Sequence, residues 1–589
     1  MADSTTSTEE YRLSGIPVSS GIVCGPLMVL TSEELLVPKN QIAPDAVSNE
    51  IARLEAALVK TRQEVMDIKA HLSASLGEKD ASIFDAHLLV LEDSTLLEAV
   101  RKQIESRNLC VEIIFHHLMQ NYAQSMRQTD DAYLRERAAD ILDVGRRVLS
   151  NLLGTTPGDK YNLEQPSIIL AHDLSPSDTA MLDRSKVLGF ATDIGSRTSH
   201  TAIMARSLNI PAVVGLKDAS NKMARGVEVI LDGHEGWLII NPTEQTKFQY
   251  GQLEHKRHQV DVQLERLKGT EAITKDGRKV VLSANVELPE DFPLIRQSGA
   301  EGVGLYRTEF LFLSRLALPT EQEQIDIYRQ VIAAAAPHLV IFRTLDIGGD
   351  KMLDHMGAVK EMNPFLGWRA IRYTLERRDI FHTQLRAICR AGAGGKIRIM
   401  FPMICAFEEL TQAKEELASV LDELQREGVA FTRDIEVGMM IETPAAVLIA
   451  DRLAKEVQFF SIGTNDLIQY TIAVDRLNEK VAYLYQPTHP SIISLINHTV
   501  KSAHDANIWV GVCGEIAGEL LLVPLLLGLD IDELSMGPNF VSRAKAVIQN
   551  LKYAESRQLV AELQTLNTAG EIMEHLKRVA QANFAELLD

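Results

Sequence analysis

The sequence lacks the features that mark membrane-spanning, secreted and disulfide-rich proteins. No apolar run approaches the roughly 20 residues that cross a bilayer. Residues 1–10 are polar and acidic, without the basic start and apolar core of a secretory signal, and we expect them to be disordered. The 5 cysteines are far apart and show no CxxC spacing, which disfavours a disulfide framework or a zinc site. We therefore expect a cytoplasmic protein.

Positive charge is also scarce. The formal net charge is −20, which argues against nucleic acid or an anionic membrane as the main partner. The 46% hydrophobic content is ordinary for a globular protein, and 589 residues are too many for one core, so several domains are expected. If such an acidic chain binds an anionic substrate, it must concentrate its arginines locally.

One polar stretch, Gly195–Arg206 (GSRTSHTAIMAR), is the strongest functional signal. It follows an apolar run, Val187–Thr192, that predicts a strand, and it leads into a helical pattern. Its glycine permits positive φ in the turn, and Thr198 or Ser199 can cap the helix. His200 would then lie in the first helical turn, where free N–H groups and the helix dipole favour an anion. These features alone allow two interpretations, a nucleophile toward phosphorus or a surface histidine beside a helix cap.

This stretch resembles the phosphohistidine motif of the phosphoenolpyruvate-utilising enzymes, and within them the enzyme I branch of the bacterial sugar phosphotransferase system. Family motifs usually have a second glycine where this sequence has Ser196. The preceding run Ser175–Ala180 (SPSDTA) is similar to a second family motif. The resemblance implies that Thr179 holds the ring of His200 by a hydrogen bond; from the sequence alone, Thr179 is equally a turn or cap hydroxyl.

The N-terminal half predicts an α/β domain interrupted by helices. Strand signals occupy residues 11–35 and 154–243, and residues 36–153 have apolar positions at helical spacing. We interpret the first two segments as a swivelling α/β phosphohistidine domain and the third as an inserted helical subdomain. Segments 83–93 and 131–140 resemble the family's helical subdomain, which implies that this insert binds the phosphocarrier protein HPr. An inert helical bundle is the alternative.

A polar, highly charged segment separates the two halves. Residues 244–269 carry Leu253, Val260 and Leu264 at helical spacing, which predicts a long and mostly solvated helix. We interpret it as a semi-rigid linker, with a domain boundary near Gly269.

Beyond residue 270, short apolar strands alternate with helical segments, as in parallel α/β folds. Eight such units over residues 270–589 predict a (β/α)8 TIM barrel. The predicted strands are Val280–Ala284, Gly302–Leu305, Val340–Thr344, Ile397–Pro402, Val437–Ile441, Phe459–Ile462, Val510–Cys513 and Glu533–Met536.

Polar residues follow several of these strands, where the reactive residues of a TIM barrel lie. They are Arg307, Arg343 with Asp346, Glu442, Asn465 with Asp466, and Cys513. Arginine matches phosphate and carboxylate oxygens, so Arg307, Arg343 and Arg476, with Lys351, predict a small polyanionic ligand. Glu442 and Asp466 are lone carboxylates on adjacent strands, and such a pair suits Mg²⁺. The thiol is either a packed apolar group or a proton donor.

The same half resembles the phosphoenolpyruvate-binding barrel of the family. The similar segments are 304–312, 342–351, 363–369, 442–446 and 461–467. The resemblance implies that Glu442 and Asp466 hold Mg²⁺ and that Cys513 protonates the product enolate. It implies that the substrate is bound by Arg307, Arg343, Lys351, Gly463, Thr464, Asn465 and Arg476.

The resemblance covers the chain from about Leu13 to its end. It implies transfer of a phosphoryl group from phosphoenolpyruvate to His200 and then to HPr, with release of pyruvate, and a homodimer formed through the barrel. A departure from the family pattern, Gly537-Pro538, follows the last strand.

Other functions remain to be weighed against this one. Pyruvate phosphate dikinase and phosphoenolpyruvate synthase share the motif and the barrel but need a large nucleotide-binding domain, for which 589 residues leave no room. A metal-dependent aldolase or lyase would have no use for a separate His200 domain. A regulatory paralogue would bind phosphoenolpyruvate or HPr without transfer, and phosphate on His200 would distinguish it from an enzyme.

Overall fold

The computed structural model describes residues 9–588 except 31–36, 77–82, 93, 128–131, 155–162, 175–177, 179–181, 197–199, 209, 314, 316, 349–360, 477 and 479. The chain divides into two compact units, one up to Lys256 and one from Arg257. Within the described part of the chain, no helix is both long enough and apolar enough to cross a membrane.

The first unit is built on a mixed sheet of 8 strands in the order β1-β8-β7-β3-β4-β5-β6-β2. The strands are β1 Tyr11–Ser14, β2 Ile16–Ser19, β3 Ile22–Leu30, β4 Ser167–Ala171, β5 Val187–Thr192, β6 Ala212–Val214, β7 Glu228–Asp232 and β8 Trp237–Ile240. Strands β3 to β6 run parallel at the centre. The sequence predicted two strands between Gly15 and Leu30 and missed β1, whose residues are largely exposed and give no apolar run.

A bundle of helices is inserted between β3 and β4. Its members are α1 Val47–Leu76, α2 Ile83–Leu91, α3 Ser94–Arg107, α4 Val111–Arg127 and α5 Ala132–Leu153. They enclose a core of their own, in which Val65, Val100 and Val148 are fully buried. Two short helices follow in the α/β part, α6 His200–Ser207 and α7 Ala219–Lys222. Met204 of α6 joins the core of the bundle, so the helix that begins at His200 packs against the insert.

The predicted linker helix is α8, Glu244–Leu267. Its first half packs Tyr250 and Leu253 on apolar residues of the sheet. Its second half packs Val260, Leu264 and Leu267 on the core of the second unit. The division between the units, at residues 256 and 257, therefore falls inside the helix, upstream of Gly269.

The second unit is a closed barrel of parallel strands, as predicted from the sequence. The strands are β9 Val281–Val286, β10 Gly302–Tyr306, β11 Leu339–Arg343, β12 Ile397–Phe401, β13 Glu436–Ile441, β14 Phe459–Ile462, β15 Trp509–Val512 and β16 Glu533–Met536. Side chains from successive strands, among them Leu305, Ile341, Met400 and Met440, fill its interior.

The helices of the second unit follow the strands and cover the barrel. They are α9 Phe292–Gln297, α10 Phe310–Leu313, α11 Glu321–Ala335, α12 Ile371–Glu376, α13 Arg378–Ala391, α14 Phe407–Glu427, α15 Pro444–Leu448, α16 Ala450–Leu453, α17 Thr464–Ile472, α18 Pro490–Asp505, α19 Val523–Gly528, α20 Pro538–Asn550, α21 Tyr553–Leu563 and α22 Ala569–Asn583. Pro538, the departure noted in the sequence, is the first residue of α20, a position that proline favours because its fixed φ suits a helix and its missing N–H is not needed there.

Candidate active site

A cavity of about 200 Å³ lies at the carboxyl ends of the barrel strands. The predicted site residues that line it are Arg307, Arg343, Glu442, Gly463, Asn465, Asp466, Arg476 and Cys513. Thr464 begins α17 between two of these residues and is fully buried. Lys351 lies outside the described residues. The strand ends thus bring together side chains that are up to about 200 positions apart in the sequence.

The arginines of the cavity are paired with carboxylates. Arg343 Nη2 lies 2.9 Å from Glu309 Oε1, and its Nη1 lies 3.1 Å from Asp346 Oδ2. Burial lowers the pKa of Arg343, but Glu309 and Asp346 more than offset this effect and hold the pKa above its ordinary value. Arg307 is more exposed and lies 3.5 Å from Glu287. Each guanidinium is therefore oriented before any ligand arrives.

Arg369 also lines the cavity, although it was not among the residues predicted at the strand ends. Its Nη2 donates to both carboxylate oxygens of Asp346, at 2.9 and 3.0 Å, and its Nη1 lies 3.4 Å from Asp466 Oδ1. The residue follows the undescribed segment 349–360 and does not end a strand. A backbone bridge pairs it with Gly348, where a Cβ would lie 2.0 Å from the Cβ of Arg369, so only glycine permits this approach. The available signal was its place in segment 363–369.

Glu442 and Asp466 form an acidic pair with the chemistry that Mg²⁺ requires. Burial, together with the nearby charges of Asp466 and Asp346, raises the pKa of Glu442 to about 8. One oxygen of Glu442 accepts the N–H of Met403 at 2.6 Å. A divalent cation would offset the repulsion between the carboxylates, so the residues present fit Mg²⁺. Because the described residues contain no group of three His, Cys, Asp or Glu side chains suited to a metal, water and substrate would supply the remaining ligands.

Cys513 follows β15 directly and is buried at the base of the cavity. Its N–H donates to the carbonyl of Ile462 at 3.2 Å, and its own carbonyl accepts from Asn285 Nδ2 at 2.9 Å. Burial raises the pKa of its thiol to about 11. The group therefore stays protonated at neutral pH, which suits a proton donor better than a nucleophile.

The turns after β14 and β15 are joined to each other. Asn465 Nδ2 donates to Glu515 Oε1 at 3.0 Å, and the N–H of Glu515 donates back to Asn465 Oδ1 at 3.0 Å. Glu515 also lies 3.4 Å from Arg476. A Cβ on Gly514 would lie 1.9 Å from Thr464 Oγ1, so the turns can approach only because this residue is glycine. The amide of Asn465 is thus oriented by its neighbour.

The histidine motif lies in the first unit, after β5. Gly195 has a φ of +133°, which confirms that the turn needs positive φ there. Ser196 is not among the described non-glycine residues with positive φ, so this position of the motif does not require glycine. His200 is the first residue of α6, and its backbone alone is described. Three neighbours that the sequence proposed as orienting or capping groups, Thr179, Thr198 and Ser199, lie outside the described residues.

Hydrogen bonds at both ends hold the turn between β5 and α6 to neighbouring segments. Asp193 is buried and accepts the N–H of Ser220 at 2.9 Å, and its other oxygen lies 3.2 Å from His172 Nδ1. Thr201, next to His200, donates its hydroxyl proton to the carbonyl of Leu174 at 3.1 Å. The start of α6 is therefore held beside the segment that follows β4.

Comparison with known proteins bears on both units. Three models of the PEP-utilising enzymes match the chain: the N-terminal model over residues 14–137, the mobile domain over 163–236 and the PEP-binding domain over 261–553. A phosphoenolpyruvate-protein phosphotransferase of Geobacillus stearothermophilus is 47% identical over 569 residues, which cover 97% of this chain and 98% of that protein. The chain belongs to the phosphoenolpyruvate-protein phosphotransferases.

Other members of this family show similar agreement. The phosphoenolpyruvate-protein phosphotransferase of Bacillus subtilis (strain 168) is 44% identical over 566 residues, which cover 96% of this chain and 99% of that protein. A solved structure of an Enzyme I protein is 40% identical and covers 42% of this chain and 99% of its own, with a TM-score of 0.37. The family resemblance of the motifs is confirmed by matches over nearly the whole chain.

Proposed function

We propose that this chain transfers the phosphoryl group of phosphoenolpyruvate to its own His200 and then to HPr, releasing pyruvate, as the first step of a sugar phosphotransferase system. The observation that carries the proposal is one cavity at the barrel strand ends that contains paired arginines, two candidate Mg²⁺ ligands and a protonated thiol. A small polyanion that carries an enol group can pair with the arginines, bind Mg²⁺ and accept a proton from the thiol. The relatives' name agrees with this donor.

The substrate would be held by the arginines and by the turn after β14. Arg307 and Arg343 line the cavity at the carboxyl ends of the neighbouring strands β10 and β11 and would bind oxyanions in bidentate fashion. Arg476 and residues Gly463–Asn465 would bind from the segment after β14, with Lys351 as a further cation. Glu442 and Asp466 would hold Mg²⁺, which supplies positive charge to the phosphoryl and enol oxygens when bound.

The proposed bond changes use two protein groups, His200 and Cys513. A ring nitrogen of His200, oriented by Thr179, forms a bond to phosphorus while the bond from phosphorus to the enol oxygen breaks. The electron pair of that bond remains on the enol oxygen, and Cys513 donates its thiol proton to the methylene carbon, which gives pyruvate. The thiolate is then reprotonated from water. Because pyruvate has a ketone in place of the enolate oxygen, ketonisation disfavours return of the phosphoryl group.

HPr would bind the helical insert in this proposal. Val59 and Met66, one heptad apart on α1, are largely exposed, as is Leu89 on α2. An ion pair between Lys69 and Asp85 joins the same two helices, and another joins Arg62 to Glu92, the residue after α2. An apolar surface between charged side chains suits a small protein partner.

A homodimer through the barrel belongs to the same proposal. Exposed apolar side chains occur in the segments that follow three neighbouring strands: Met362 and Leu366 after β11, Phe407 at the start of α14, and Leu448 at the end of α15. Arg372 Nη2 lies 3.4 Å from Cys405 Sγ, and Thr443 donates to the carbonyl of Ile404, so these segments lie side by side. Exposed apolar side chains on adjoining segments favour self-association. We also propose that the protein acts in the cytoplasm.

Phosphorylation of His200 tests the proposed function. Incubation with labelled phosphoenolpyruvate and Mg²⁺ should place acid-labile, base-stable phosphate on His200, and added HPr should remove it. The His200→Ala variant should incorporate none while it still binds phosphoenolpyruvate. Label on another residue of this variant, or none on the unmodified protein, would contradict the proposal.

A further inference from the structure

Glu309 is a cavity residue to which the proposed mechanism gives no role. It follows β10 by three positions, lines the cavity and is 7% exposed. One of its oxygens, Oε1, accepts two hydrogen bonds, from Arg343 Nη2 at 2.9 Å and from the N–H of Asp346 at 3.0 Å. Because Arg343 Nη1 also contacts Asp346 Oδ2, the three residues form a closed triangle.

The triangle restricts how Arg343 can move. A lone carboxylate would hold the guanidinium at one edge and leave it free to swing about that contact. Here Glu309 and Asp346 hold separate nitrogens, and Glu309 also fastens the backbone of the turn that carries Asp346. Loss of Glu309 would release both the nitrogen and the turn, whereas the neighbouring pair of Arg369 and Asp346 would persist.

We infer that Glu309 is a positioning residue that fixes the guanidinium of Arg343 and the adjoining turn in the arrangement that receives the substrate oxyanion. The inference rests on the proposed function, because it requires Arg343 to bind phosphoenolpyruvate. Glu309 acts through Arg343 and does not itself touch the substrate. A misplacement of about 1 Å in such a group can lower a rate by roughly 100-fold.

The contacts indicate that geometry is what Glu309 supplies. Both hydrogen bonds go to Oε1, and Oε2 has no hydrogen-bond partner within the described part of the chain. The amide oxygen of glutamine can accept the same two bonds, and its nitrogen can occupy the place of Oε2 without displacing a donor. Glu309→Gln should therefore preserve the position of Arg343, while Glu309→Ala should not.

Single-turnover phosphorylation of the full-length protein with labelled phosphoenolpyruvate tests this inference. Glu309→Ala should lower the second-order rate constant by about 30-fold or more, and Glu309→Gln should stay within about 3-fold of the unmodified protein. The Arg343→Lys variant lacks the planar fork that Glu309 orients. In that variant, Glu309→Ala should lower the second-order rate constant by less than about 3-fold. This non-additivity is a result that a merely structural role would not give.

Glu533→Ala provides the matched control. Glu533 is also a buried barrel carboxyl, but it begins β16 at the opposite end and accepts from Ser283. Its removal should lower the melting temperature without changing the rate constant. Additive losses in the Arg343→Lys background, or equal losses for Glu309→Gln and Glu309→Ala, would overturn the inference. If the unmodified protein forms no phosphohistidine, the proposed function fails instead.

Discussion

The two ends of the barrel use similar residues to opposite effect. At the carboxyl end, arginines and carboxylates surround a cavity of about 200 Å³. At the amino end, Trp509 and Phe459 stack with ring centroids 4.6 Å apart, and the guanidinium of Arg398 lies 5.0 Å from the Trp509 ring. Arg398 pairs there with Glu436, and Glu533 with Ser283. One end encloses a cavity, and at the other end aromatic and charged side chains contact one another.

The difference between the two ends indicates the role of buried charged residues in this barrel. Buried ion pairs recover little more than their desolvation cost, so a barrel gains no stability from collecting four arginines and several carboxylates around a cavity. At the amino end, the paired Arg398 and Glu436 lie beside the aromatic rings of Phe459 and Trp509, which the guanidinium of Arg398 contacts. We therefore expect substitutions at the carboxyl end to change activity and substitutions at the amino end to change stability.

The largest effect is expected for Asp466→Asn at the carboxyl end. The substitution keeps the shape of the side chain but removes one of the two carboxylates proposed to hold Mg²⁺. We expect kcat/KM for phosphoenolpyruvate to fall by at least about 1,000-fold, since charge stabilisation is the largest catalytic term in phosphoryl transfer. Calorimetric titration with Mg²⁺ in the presence of substrate should show weakened binding. Unchanged Mg²⁺ affinity would place the metal elsewhere.

Cys513→Ala should have the next largest effect. General-acid catalysis contributes roughly 100- to 10,000-fold, so pyruvate release should slow by at least about 100-fold. Affinity for phosphoenolpyruvate and the melting temperature should change little, because the thiol is small and is replaced by another apolar group. Near-normal turnover would return Cys513 to the role of a packing residue.

The sequence predicted the barrel well because its strands are apolar runs bounded by polar turns. The bounds of β14 and β16 agree with the prediction, and the other barrel strands differ by at most two residues at either end. Cavity residues such as Arg343 and Glu442 were found because each directly ends or follows a strand.

What the sequence could not supply was the pairing of charges. A backbone bridge pairs Arg369 with Gly348, and Glu309, which follows β10, accepts a hydrogen bond from Arg343 at the end of the adjacent strand β11. Neither contact has a local signature. The sequence placed arginines and carboxylates at the same strand ends, but only the fold shows that Arg343 pairs with Glu309 and that Arg369 pairs with Asp346.

Trp509→Ala tests the amino end. Removing a large aromatic side chain from a packed site costs about 3 kcal/mol, and here the loss also uncovers Phe459 and Arg398. The calorimetric transition of the barrel should move to lower temperature by several degrees. Phosphotransfer measured well below that transition should remain normal. A large loss of kcat/KM at low temperature would show that the two ends are coupled.

The smallest effect concerns an ion pair on the outer side of the amino end. His504 Nε2 lies 2.8 Å from Asp532 Oδ2, with Asp530 and Arg278 beside them. The hydrogen bond to Asp532 raises the pKa of His504 despite partial burial. The pKa of Asp532 is lowered: burial raises it, but the bonds from His504 and the N–H of Val510 more than offset that effect.

The signs of these shifts define a pH window for the pair. Because the pKa of His504 is raised in the folded state, its contribution to stability is complete below the unfolded-state pKa of about 6.5 and is lost as pH rises through the folded-state pKa. Because the pKa of Asp532 is lowered, its contribution is complete above the unfolded-state pKa of about 3.9 and is lost as pH falls through the folded-state pKa. Because His504 is partly exposed, we expect the pair to contribute at most about 1 kcal/mol to the free energy of unfolding after screening.

The melting temperatures of the unmodified protein and of His504→Gln should therefore differ more at pH 5.5 than at pH 8.5. His498→Gln, an exposed change on the same helix, should show no such trend, and an equal difference for His504→Gln at both pH values would show that the contact stabilises the fold without its charge.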